Sequence, residues 1–227
     1  MHIGQANNCA TYTMGGTKLA QTDSEKDVGV RVHRSLKPST QCSEAARRAN
    51  AVLGQICRSF HYRDKKTFVS LYKQYVRPHV EYAVTAWSPW TVADRELLER
   101  VQERAIKMVS GLSATTYLGR LKELNLLTLE DRRSVFDLVQ TFKIVHGLDN
   151  VSRDTWFQLA GGAAQRVTRH TQDPLNLARK YARTDIRRNF FSVRVIDHWN
   201  GLPSDIKAST SVAFFKNHVK RAKLDTY

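Results

Sequence analysis

Asp94-Arg95-Glu96-Leu97-Leu98-Glu99-Arg100-Val101-Gln102-Glu103-Arg104-Ala105-Ile106-Lys107-Met108-Val109 is the stretch on which the fold class turns. Leu97, Leu98, Val101, Ala105 and Met108 recur at the spacing of one helical face. Glu96 and Arg100, and Glu103 and Lys107, stand four apart with the acid first, the favourable polarity for an intrahelical pair. Gly111 supplies a stop. The same period extends to either side. Upstream, Ser39 or Thr40 is placed to cap a helix whose apolar positions are Ala45, Ala49, Val52, Leu53, Ile56 and Phe60. Asp64 opens another, with Phe68, Leu71, Tyr72, Tyr75, Tyr82 and Ala86 on one side and Pro78 inside the pattern, which predicts a kink or a break there. Downstream, a shorter helix over Tyr117–Leu124 precedes a long one over Leu129–His146, opened by Thr128-Leu129-Glu130-Asp131 and closed by Gly147.

Ahead of this bundle the period changes to two. Ala10–Met14 and Thr17–Ala20 flank Gly15-Gly16, a pair that tolerates positive φ, and Val28–Val32 alternates as a half-buried strand would. Asp23, Glu25 and Asp27 read as a solvated connection around Lys26. Beyond the bundle, residues 148–183 lose periodicity, with Gly161-Gly162 and Pro174, a short helix at Arg153–Leu159 and a strand near Arg166–Thr171. Helical spacing resumes over Asp185–Trp199 and Val212–Lys223. The expected fold is mainly α with a small antiparallel β meander at the N-terminus (α+β), in four segments: 1–36, 37–147, 148–183 and 184–227.

The 227 residues carry 36 Lys and Arg against 21 Asp and Glu, a formal charge of +15. Such an excess repels itself unless a polyanion offsets it, so nucleic acid is the expected partner. Residues 1–150 hold 22 basic and 15 acidic groups and 151–227 hold 14 and 6, so the C-terminal part is the denser in net charge. No apolar run approaches the roughly 18 residues that cross a bilayer, and the first residues lack a basic head and an apolar core, which predicts neither secretion nor a membrane partner. Three cysteines, Cys9, Cys42 and Cys57, contain no CxxC pair and build neither a disulfide framework nor a zinc knuckle. An intracellular location, nucleus or cytoplasm, is the default they imply.

Several motifs are similar, in collinear order, to those following the polymerase palm of non-LTR (LINE-type) retrotransposon reverse transcriptases. They run from Lys65 to Ala83 into Trp87-Ser88-Pro89-Trp90, through Glu96–Ala105 and Thr128–Arg133, to Arg187–Ser192 and Trp199-Asn200-Gly201-Leu202-Pro203. The resemblance implies a palm edge and primer-grip-like hairpin over Tyr12–Val32, a thumb-like bundle over 37–147, an irregular basic linker and a C-terminal basic helical region. The family's aromatic-x-Asp-Asp run occurs nowhere in the sequence, and two-metal phosphoryl transfer needs such a carboxylate pair. The expectation is therefore a truncated reverse-transcriptase-like protein derived from a mobile element, with no catalytic residues, no metal, no cofactor and residual sequence-tolerant binding of RNA, DNA or their hybrid.

Two groups of cations are the candidate binding residues. Lys65, Lys66, Lys73 and Arg77 share a helix with Tyr72, Tyr75 and Tyr82, combining phosphate neutralisation with aromatic faces. Arg183, Arg187 and Arg188 fall within about one and a half turns near a helix N-terminus, where the dipole also favours phosphate. The alternative is a helical protein-interaction module whose charge serves solubility or docking. If nucleic acid is the partner, the two groups should share one concave face; if not, they should be dispersed.

Overall fold

The computed structural model describes residues 1–4, 7–114, 116–160 and 173–226. The expected strand near Arg166–Thr171 and the Gly161-Gly162 pair lie outside the described residues. The protein is mainly helical, with two small antiparallel sheets ahead of the helices. Strands β1 (Thr13–Met14) and β2 (Thr17–Lys18) pair around Gly15 and Gly16, whose φ values of +56° and +81° fit a two-residue turn. The expected meander is instead two separate hairpins, the second formed by β3 (Ser24–Asp27) and β4 (Val30–His33). Val28 and Gly29, read from sequence as strand, form its turn with φ of +42° and +82°. Asp23 to Asp27, read as a connection, is largely paired strand; its charges face solvent and hide the alternation that would have marked it. A Cβ on Gly29 would lie 3.1 Å from the Tyr82 ring, so this turn requires glycine.

Helix α1 (Ser39–Ser59) buries Cys42, Ala45, Ala46, Ala49, Leu53 and Ile56, and its small residues let it pack closely on α5 (Val92–Lys107). Neither Ser39 nor Thr40 caps it: Pro38 occupies the cap, and the Ser39 hydroxyl donates to Asp94 at 2.7 Å. Helix α5 starts before Asp94, with Thr91 accepting from the Asp94 N–H at 3.2 Å. It buries Leu98, Val101, Ala105 and Ile106, and both acid-first pairs form, Arg100–Glu96 at 3.2 Å and Lys107–Glu103 at 2.7 Å.

Asp64 caps α2 (Lys65–Leu71), as the sequence predicts. The break imposed by Pro78 falls upstream of it. A single π turn over Tyr72–Val76 separates α2 from α3 (Arg77–Glu81), and the Arg77 N–H bonds the Tyr72 carbonyl. Proline has no N–H and its ring crowds the carbonyl four residues back, that of Gln74; widening the preceding turn relieves both. The extra residue also rotates the apolar face. Phe68 and Tyr72 are buried, but Tyr75 and Tyr82, expected on the same side, are 55% and 54% exposed. Helix α4 (Val84–Trp87) then leads into the turn before α5, and the Trp87 indole anchors it on the Tyr82 carbonyl at 2.7 Å.

Helices α6 (Tyr117–Glu123) and α7 (Leu129–Val145) complete the first core around a buried amide. Gln102 accepts from the Tyr72 hydroxyl at 2.7 Å and donates to the Tyr117 hydroxyl and the Leu127 carbonyl, both at 3.0 Å. A second core joins α7, through Val135, Leu138, Phe142 and Ile144, to the C-terminal helices. These are α8 (Arg153–Trp156), α10 (Phe191–Arg194), α11 (Ile196–Asn200), α12 (Ser204–Lys207) and α13 (Val212–Leu224), while α9 (Asp185–Arg188) buries no residue. The single helix expected over Asp185–Trp199 is thus three short ones. Phe190 interrupts it with an extended backbone (φ −67°, ψ 142°) because its ring stacks on Trp156, centroids 6.2 Å apart. Arg194 stitches the cores together: its guanidinium donates twice to Asp137 at 2.8 Å and once each to the carbonyls of Thr85 and Asn189.

Candidate nucleic-acid interface

The structure places the candidate cations in three settings rather than one. Lys65 pairs with Glu123 at the foot of α6, and Lys66 beside it is exposed. With Lys65 and the Ser113 and Ala114 N–H groups donating to it, the Glu123 carboxyl is held at about 2, well below its ordinary range. This lysine has a partner already.

Lys73 and Arg77 belong to a different neighbourhood, and it contains two cations that sequence spacing could not supply. Arg77 reaches Glu81 at 3.5 Å, and Arg132 of α7 grips both oxygens of the same carboxylate, one of them at 2.8 Å. The side chains of Arg77, Glu81 and Arg132 are 17%, 12% and 18% exposed. Lys220 arrives from α13, which packs along α7. Burial lowers the Lys73 ammonium below its ordinary range, and the charges of Arg77, Lys220 and Arg132 lower it further. Burial and Arg132 likewise lower Arg77, with Glu81 opposing. Four cations from four elements therefore converge, and the one carboxylate among them, Glu81, is bound by Arg77 and Arg132. Positive charge is in surplus there.

Arg183, Arg187 and Arg188 form the third setting. All three are exposed; Arg188 pairs with Asp185 at 2.8 Å, and the Arg187 guanidinium lies 5.2 Å from the Phe190 ring centroid. Arg188 lines an open cleft of about 460 Å³ with Arg179, Lys180 and Tyr181, and the Tyr181 ring is 90% exposed. Burial, then the nearby Arg187, lowers Lys180. Arg166 and Arg169, further basic residues ahead of this group, lie outside the described residues. Arg194, six residues beyond Arg188, is instead committed to the Asp137 pair, its side chain 16% exposed; burial pushes Asp137 above its ordinary range despite Arg194.

No protein-family model matches the sequence, and no curated protein or solved structure matches the chain. Chemistry must therefore be read from the groups themselves. Among the described residues no three His, Cys, Asp or Glu side chains gather as a metal site. Asp23 pairs with Arg34 at 3.2 Å, and Glu25 and Asp27 are exposed on β3. Cys42 is fully buried, its thiol pushed up to about 12 by burial first. Among the described residues no helix is long and apolar enough to cross a membrane. Arg132 and Lys220 are the functional candidates that sequence reasoning missed. Each is an ordinary basic residue on an amphipathic helix, and only the packing of α13 on α7 brings them to Lys73.

Proposed function

We propose that this chain binds nucleic acid through its phosphate backbone, with weak sequence preference, and that it derives from the post-palm region of a LINE-type reverse transcriptase without contributing polymerase carboxylates. The observation that carries the reading is the convergence of Lys73 and Lys220 on Arg77 and Arg132, of which, among the described residues, only the two arginines are paired, with Glu81. Like charges held together by packing repel one another in the free protein, and a phosphate seated among them removes that repulsion while releasing counterions from the nucleic acid. Cations on helices α3, α7 and α13 suit shape and backbone recognition of a duplex or hybrid, because rigid elements present them in a fixed arrangement. Half-exposed Tyr75 and Tyr82 offer faces to unpaired bases. Arg183, Arg187 and Arg188 act as a secondary contact.

The test is a fluorescence titration of RNA, DNA and hybrid duplexes at several salt concentrations. The parent should bind all three with affinity that falls steeply with salt, and K73Q/K220Q should weaken binding to each alike. A second reading, a protein-interaction module, is favoured by two observations: the dispersal of the sequence-predicted cations over three settings, and an apolar cleft of about 360 Å³ lined by Ala83, Ile144, Val151, Trp156, Phe190 and Phe191. Absence of binding by the parent at low salt would select it.

A further inference from the structure

Beneath the Ser88-Pro89-Trp90 turn, a polar cleft of about 210 Å³ opens between α5, α7 and α11. Arg133 and Ser134 of α7 line it, and they hold three buried polar atoms without a partner among the described residues: Nη1 and Nη2 of Arg133 and Oγ of Ser134. Arg133 is only 5% exposed, and an unpaired guanidinium at that depth is costly. The carboxylates that could satisfy it are committed elsewhere. Glu99 accepts from the Tyr117 hydroxyl and the Leu129 N–H, Glu130 from Arg95 at 2.8 Å, and Asp137 from Arg194 twice. Burial pulls Arg133 below its ordinary range, with Glu99 and Glu130 only partly offsetting it. Arg95 and Glu130, side chains 39% and 61% exposed, stand at the solvent edge of the cleft, and His198 lines it from α11.

We propose that this cleft is a binding site for a tetrahedral oxyanion, a phosphate or sulfate group, with both Nη atoms of Arg133 and Oγ of Ser134 as its donors and Arg95 at its mouth. A planar guanidinium presents two parallel N–H groups to such an anion, and the adjacent hydroxyl supplies a third donor. The volume far exceeds what one water needs, so a polyatomic anion fits without enlarging it. Glu130 is an unfavourable charge at the mouth. The site is separate from the Lys73 group and does not rest on the nucleic-acid reading.

Thermal melts of the full chain with inorganic phosphate, against chloride at equal ionic strength, test it. The parent should gain stability saturably with phosphate, as a ligand of the native state must. R133M should weaken phosphate binding about tenfold or more, and should melt no lower than the parent in phosphate-free buffer, since it removes an unpaired buried charge. E130Q should strengthen the phosphate response and S134A should weaken it; these two decide the matter if R133M does not fold. In a K73Q/K220Q background, which removes the other group able to take phosphate, the saturable gain should persist and R133M should still weaken it. A nucleoside 5′-monophosphate tested beside phosphate, with the bare nucleoside as control, tells an esterified source from a free anion. The site is overturned if the parent shows no saturable gain with phosphate, sulfate or the nucleotide. It is equally overturned if R133M, or both E130Q and S134A where R133M does not fold, responds as the parent does.

Discussion

Two groups of arginine and lysine in this molecule look alike in sequence and differ in space. Arg183, Arg187 and Arg188 are packed into six consecutive positions, yet in the fold they are exposed, one paired with Asp185 and another over an aromatic ring. Lys73, Arg77, Arg132 and Lys220 are spread over some 150 residues, yet packing holds them half-buried beside one another, with a single acid between the two arginines. Density along the chain is a poor guide to electrostatic potential. Solvent screens the first group fully, while partial burial leaves the second less screened.

The largest expected effect falls on the acid that holds the second group together. Glu81→Gln leaves Arg77 and Arg132 facing each other half-buried, and should cost about 3 kcal/mol in chemical denaturation. Asp185→Asn, the matching change in the exposed group, should cost less than about 1 kcal/mol. Equal losses would erase the distinction between the groups.

Replacing Arg183, Arg187 and Arg188 together by glutamine should shift stability by no more than about 0.5 kcal/mol, because none of the three is buried. A larger loss would show that this segment carries a packing role that its exposure conceals.

A smaller and pH-dependent effect belongs to Lys65. Glu123 is held at about 2 in the folded protein against 4.5 when free, so its contribution is fully present above 4.5 and is lost as pH falls through about 2. Lys65→Met removes the first-named cause and should flatten the stability profile across that window. An unchanged acid limb would mean that the Ser113 and Ala114 N–H groups alone hold the carboxylate.

How far these contrasts were legible follows from what a pattern encodes. The face of α5 could be read because Leu98, Val101 and Ala105 repeat with the period of the helix that buries them. The caps by Asp64 and Thr128 were legible for the same local reason. Tyr75 and Tyr82 were misplaced because one extra residue in the π turn rotates everything beyond it, and Pro78 announces a disturbance without its position. The helix expected over Asp185–Trp199 failed at Phe190, where stacking on Trp156 overrides local propensity. The role of Arg194 could not be read from sequence because its partners, Thr85 and Asp137, lie 109 and 57 residues away. Convergence of Arg132 and Lys220 on Lys73 is a property of tertiary packing, and no spacing rule contains it.

The salt dependence of nucleic-acid binding tests the central claim most directly. The slope of log affinity against log salt should become shallower by about two units in K73Q/K220Q, one for each phosphate that is no longer neutralised. The Arg183/Arg187/Arg188 glutamine triple should change it by less than that. A K73Q/K220Q slope equal to the parent's, with the triple accounting for the whole change, would contradict the account.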